Sequence, residues 1–158
     1  MLRLTAIALG LAACGAAGAD PAPAAGAHPD GWRPLPAIAA AITAAAAGDG
    51  VTVDAASAWG EPAVDCYAVW LALHGPTADA AALADQVLAG VATLSPADLV
   101  RPAGPDGTLA FSFARPPYRG RLRAQLGGGR IAAVACFGSQ REPAACDAAC
   151  ARVLQGAP

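Results

Sequence analysis

Four cysteines in the second part of the sequence offer the most definite chemistry. The chain has 158 residues and five cysteines, and four of them follow residue 60: Cys66, Cys136, Cys146 and Cys150. Thiols at these positions could form disulfides, ligate a metal ion or carry out redox exchange. The sequence lacks a C-x-x-C pair, and Cys146 and Cys150 are one residue too far apart for the thioredoxin-like motif. We therefore predict two structural disulfides, with no metal and no cofactor.

The sequence leaves two pairings of these cysteines open. Cys146 and Cys150 share one face of a predicted helix, where Cβ atoms four residues apart are separated by ~5–6 Å. A disulfide needs a Cβ–Cβ distance of ~3.5–4.5 Å. This mismatch favours bonds from each helix cysteine to Cys66 or Cys136. The alternative joins Cys66 to Cys136 on adjacent strands and leaves a strained bond between Cys146 and Cys150.

Three arginines alternate with apolar or small residues over a predicted strand. Arg119, Arg121 and Arg123 occupy every second position, so their side chains share one face of the sheet. A guanidinium group binds a phosphate or a carboxylate through two parallel hydrogen bonds. The row therefore predicts a surface for an anionic partner, either lipid headgroups or an acidic protein. The alternative is a solvated face whose arginines pair with acids elsewhere in the chain.

Charge is distributed unevenly along the chain. The residues from Asp20 to Val100 include nine acids and one arginine, whereas those from Arg101 onward include eight arginines and three acids. We expect the two halves to pack together and neutralise each other. The formal net charge is -2 at pH 7, which argues against a nucleic-acid partner.

The first fourteen residues have a charge and hydropathy pattern that predicts export. A positive residue, Arg3, precedes an apolar run over residues 4–13 that is too short to span a membrane. Leu11-Ala12-Ala13-Cys14 follows, with two small residues between an aliphatic residue and a cysteine. These fourteen residues resemble the signal peptide and lipobox of bacterial lipoproteins. The resemblance implies cleavage before Cys14, a lipid on its thiol, and attachment at the periplasmic face of the inner or outer membrane.

Ordinary secretion with cleavage after Ala19 is the alternative interpretation of the N-terminus. Either process removes or consumes Cys14 and leaves an even number of cysteines for disulfides. We divide the chain into a signal peptide over residues 1–13, the lipidated cysteine and a flexible Ala/Gly/Pro tether over 14–31, and a single domain over 32–158.

Periodicity and turn residues predict the elements of this domain. The predicted elements are helices over 36–48, 78–94 (capped by Thr77) and 143–154, a strand over 66–73, and three strands between residues 109 and 137. Residues 51–59 are also predicted as a helix, although Val51 and Val53 alternate as in a strand, which is the alternative. Residues 95–108 form a Pro/Gly-rich connection. The prediction is an α+β fold in which helices pack on one face of an antiparallel sheet of about four strands. Disulfides cross-link this fold.

The known catalytic motifs that we considered do not occur in this sequence. There is no G-x-S-x-G, H-E-x-x-H or P-loop motif. Glu61 and Asp65 flank a turn, and Ser139 has no histidine near it in sequence. We assign no catalytic residue and predict a non-catalytic binding or assembly domain in the cell envelope. An exported hydrolase whose site assembles from distant residues, or a metal or thiol protein, are the alternatives.

Overall fold

The computed structural model describes residues 30–48, 52–139 and 143–155. The strands are β1 (Arg33–Pro34), β2 (Thr52–Glu61), β3 (Cys66–His74), β4 (Ala97–Val100), β5 (Gly107–Arg115), β6 (Tyr118–Gly127) and β7 (Arg130–Ser139). The helices are α1 (Pro36–Gly48), α2 (Ala80–Gly90) and α3 (Pro143–Gln155), with 3-10 turns at Pro62–Val64 and Ala92–Leu94. The predicted signal peptide, Cys14 and nearly all of the predicted tether lie outside the described residues.

One antiparallel sheet of seven strands organises the domain. Its order is β1-β2-β3-β7-β6-β5-β4, so two meanders meet where β3 pairs with β7. The prediction of an antiparallel sheet in a mixed fold is confirmed, but the expected strand number of about four is too low. The four predicted strands are β3, β5, β6 and β7, and the strands that were not predicted are β1, β2 and β4.

The prediction of a helix over residues 51–59 is wrong, because Thr52–Glu61 is strand β2. It pairs with β3 from Thr52 opposite His74 to Glu61 opposite Cys66. Its alanines suggest a helix when read locally, but in the fold they allow close packing. Ala58 is buried in the cluster that α1 forms with the sheet. Tertiary packing thus decides the conformation of a segment whose own preference is weak.

The helices cover both faces of the sheet, so the prediction that they pack on one face is wrong. Val69 of β3 packs with Ile42 of α1, whereas the adjacent Ala68 and Trp70 pack with α3. Successive strand residues point to opposite faces, so α1 and α3 lie on opposite sides. The physical reason is that β3 is apolar on both faces, and each face needs a cover.

Helix α2 lies on the same face as α1 and covers the other half of the sheet. Its buried Leu83 packs with Leu109 and Phe111 of β5. Asp79, rather than the predicted Thr77, caps this helix by accepting a hydrogen bond from the Ala82 amide at 2.7 Å. None of the described helices is both long and apolar enough for a bilayer crossing. Of the described helices, α3 alone packs on the opposite face, which we call the α3 face.

Candidate functional site

Two disulfides attach α3 to the two central strands. Cys146 is bonded to Cys66 of β3, and Cys150 is bonded to Cys136 of β7. Of the two pairings that the sequence leaves open, the structure has the one in which each helix cysteine reaches a strand. The sulfurs of Cys66, Cys136 and Cys150 lie within 4.8 Å of one another. Their closeness follows from the two adjoining bonds, and a disulfide sulfur presents no thiolate to a metal.

Gly138 allows α3 to approach the sheet closely. It pairs with Cys66 on one side and with Arg119 on the other, so its position faces α3. A Cβ atom built at Gly138 would lie 2.5 Å from the sulfur of Cys146. The missing side chain therefore makes the room that the Cys66–Cys146 bond occupies.

Helix α3 covers β3 and β7 but leaves a groove of about 280 Å³ beside it, over β5 and β6. The disulfide cysteines Cys136, Cys146 and Cys150 contribute to its lining. The polar side chains that line it are Ser112, Arg119, Arg121, Ser139 and Asp147. The groove is thus a cleft that combines apolar and charged side chains, with one wall fixed covalently to its floor.

The arginine row lies on the α3 face. Arg121 is opposite Cys136 in the pairing of β6 with β7, and Arg119 and Arg123 are two positions to either side. The period-two pattern therefore places all three arginines on one side of the sheet. This side is partly occupied by α3, so the three guanidinium groups meet different surroundings.

Two of the three arginines are engaged with α3. Arg119 Nη2 lies 2.6 Å from Asp147 Oδ2 in an exposed ion pair. Arg123 is half-buried, and its Nη1 lies 3.5 Å from the carbonyl oxygen of Leu154 in the last turn of the helix. A cation near a helix C-terminus is favourable because the carbonyl groups there carry partial negative charge. Through these contacts, Arg119 and Arg123 help to hold α3 on the sheet.

Arg121 is different because its guanidinium is exposed and has no hydrogen bond or ion pair within the described ranges. It lines the groove between the two engaged arginines. Ser112 sits directly opposite it on β5 and donates a 2.6 Å hydrogen bond to Asp98. Arg121 is therefore the cation of the row that can take an external anion without first breaking a contact.

Charge neutralisation between the two halves of the chain is limited. Among the described residues, three contacts join acidic and basic side chains: Asp54 with His74, Asp85 with Arg101, and Arg119 with Asp147. Only the pair of Asp85 and Arg101 links the acidic half to the basic half. Among the described residues, direct neutralisation between the two halves is therefore limited to the exposed pair of Asp85 and Arg101.

The residues considered for catalysis are not assembled into a reactive group. His74 and Ser139 lie at opposite ends of the paired strands β3 and β7, roughly 30 Å apart at the rise of a strand. Glu61 accepts a hydrogen bond from the Ala63 amide, and Asp65 accepts one from the Tyr67 hydroxyl. Burial of the phenol and this hydrogen bond to Asp65 raise the pKa of Tyr67. Both acids thus serve local structure.

Known proteins do not identify the site. No family model matches the chain, and neither the curated proteins nor the solved structures include a similar one. Sequence patterns alone did not identify Asp147 as a partner of Arg119 or α3 as a wall of the groove. The signal that could have found them is the pair of cysteines around Asp147, because bonds from Cys146 and Cys150 to the sheet bring that acid over β6.

Proposed function

We propose that this protein is lipid-anchored at the cell envelope and that its domain binds, without catalysis, an anionic group of an envelope partner. The binding site is the groove between α3 and β6. The observation that carries the proposal is Arg121, an exposed guanidinium in the groove that lacks a partner in the described part of the chain. A carboxylate or phosphate that meets this side chain can form two parallel hydrogen bonds.

The rigidity of the groove supports a binding role. Its floor is the sheet, and its wall is α3, which two disulfides fix to β3 and β7. A site held in one geometry loses less conformational entropy when a ligand binds. The neighbouring Arg123, whose contact is to a neutral carbonyl group, adds positive potential beside Arg121 and attracts an anion before contact.

The disulfides and the lipobox together support the location. Disulfides persist in oxidising compartments such as the bacterial periplasm. The lipobox at residues 11–14 implies acyl chains on Cys14, and two or more chains give stable anchoring where one gives only marginal binding. Anchoring also raises the local concentration of envelope partners around the groove.

Replacing Arg121 by Ala is expected to reduce retention of the envelope partner by about tenfold or more. Hydrogen bonds to a charged group contribute ~1.5–3 kcal/mol, and 1.4 kcal/mol corresponds to a factor of ten. The measurement is affinity purification of the lipidated protein from detergent-solubilised envelopes, with quantification of the co-purified partner. The loss should shrink as salt rises, because exposed charges are screened.

Arg130→Ala is the matched control for Arg121→Ala. Arg130 is also exposed and also on the central part of the sheet, but it lies at the start of β7, opposite His74. The control removes the same charge far from the groove and should retain the partner as the unmodified protein does. Equal retention by Arg121→Ala and the unmodified protein would overturn the proposed site.

A further inference from the structure

We propose that the groove recognises a phosphate group and that Asp147 is a built-in competitor for it. This inference rests on the proposed function, because it concerns the same groove. Arg119 and Arg121 are two residues apart on one face of β6, a separation of roughly 7 Å along the strand. Both side chains line the groove.

The number of acceptor oxygens favours phosphate over carboxylate. One guanidinium fork satisfies both oxygens of a carboxylate. A terminal phosphate has three acceptor oxygens and a charge between -1.5 and about -2 near neutral pH, so it can bridge two guanidinium groups at once. Two arginines spaced along one strand therefore match a phosphate better than a single carboxylate.

The carboxylate of Asp147 already forms an ion pair with one of these arginines, Arg119. It lies 2.6 Å from Arg119 Nη2, and the two side chains are 64% and 44% exposed. An exposed pair of this kind contributes only ~0–1 kcal/mol, so an incoming phosphate can displace it. Until then, Asp147 neutralises Arg119 and repels anions that approach Arg121.

The test is a phosphate titration of the lipidated protein in neutral detergent micelles, followed through the NMR signals of the arginine Nε–H groups. We expect inorganic phosphate to shift the signals of Arg119 and Arg121 together. Asp147→Asn should lower the apparent Kd by roughly two- to fivefold, the factor that an exposed ion pair contributes. Asp147→Ala is the second variant, since it removes both the charge and any residual hydrogen bond.

Asp85→Asn is the matched control for the Asp147 variants. Asp85 forms an equally short exposed pair with Arg101, at 2.6 Å, and it lies on α2, which packs on the other face of the sheet. The control makes the same change in net charge and should leave the Kd for phosphate unchanged. An equal gain of affinity in Asp85→Asn would mean that net charge, and not competition by Asp147, sets the affinity.

Further arms identify the source and class of the anion. Phosphatidic acid added to the micelles reports a lipid headgroup, and inorganic phosphate reports a free phosphate. Acetate tests whether a carboxylate binds. Binding of acetate as tight as that of phosphate would contradict the preference for phosphate but would leave the proposed function standing.

Unchanged NMR signals of Arg119 and Arg121 with both phosphate sources, in the unmodified protein and the Asp147 variants, would overturn this inference. The proposed function fails separately, when Arg121→Ala retains the envelope partner fully.

Discussion

Replacing Cys66 and Cys146 together by Ser is expected to lower the free energy of unfolding by about 3–5 kcal/mol. The bond between these residues spans a sequence separation of 80, so its loss frees a long loop in the unfolded chain. Chain entropy alone assigns roughly 4.5 kcal/mol to a loop of this length. The measurement is equilibrium unfolding in guanidinium chloride under non-reducing conditions, with the fluorescence of the tryptophans as the signal.

The second disulfide supplies the matched comparison. Cys136 and Cys150 are separated by 14 positions, and the same reasoning assigns about 3 kcal/mol to that shorter loop. Replacing both by Ser should therefore destabilise the domain by about 1–1.5 kcal/mol less than the first double replacement. A loss below about 1 kcal/mol for Cys66 and Cys146 would contradict the assigned connectivity, since typical native disulfides contribute more than that.

Gly138→Ala is expected to destabilise the domain by about 2–3 kcal/mol, in the upper range for overpacking. The added methyl group would meet Cys146 Sγ at 2.5 Å and the carbonyl oxygen of Asp65 at 3.0 Å. Neither neighbour can move freely, because the sulfur is bonded to Cys66 and the oxygen accepts the Ser139 amide hydrogen bond. The helix or the strand must shift instead. Chemical denaturation of the oxidised protein measures the loss.

Gly104→Ala is the control for this substitution. The nearest atom to a Cβ at Gly104 is the carbonyl oxygen of Asp106 at 3.8 Å, an ordinary van der Waals distance. Surface changes of this kind usually alter stability by less than about 0.5 kcal/mol. If Gly138→Ala lowers the free energy of unfolding as little as Gly104→Ala does, α3 does not pack on β7 as closely as these distances imply.

The strands with strong apolar patterns could be predicted from the sequence, and the edge and alanine-rich strands could not. β3 and β7 carry large apolar residues on both faces, and β5 and β6 alternate clearly. β2 has few large apolar residues, so its sequence does not indicate a strand. Its buried Ala58 packs against α1, a contact that only the tertiary structure shows. β4 has four exposed residues in a Pro/Gly-rich region, and only its pairing with β5 makes it a strand.

The arginines and cysteines of the candidate site could be predicted from the sequence, but Asp147 and the geometry of the site could not. Alternation alone places Arg119, Arg121 and Arg123 on one face, and helix geometry argues against a bond between Cys146 and Cys150. Which arginine is free depends on where α3 lies. The contact between Arg119 and Asp147 joins residues 28 positions apart, and no local pattern specifies such a distance.

The most direct test of the central claim, export and lipidation at Cys14, is labelling of growing cells with a radioactive fatty acid, followed by fractionation and mass spectrometry. We predict a labelled protein in the membrane fraction that begins at acylated Cys14, with Cys66, Cys136, Cys146 and Cys150 all oxidised. Cys14→Ser should abolish the label. An unlabelled, unprocessed protein in the cytosol, with all of its thiols reduced, would contradict the account.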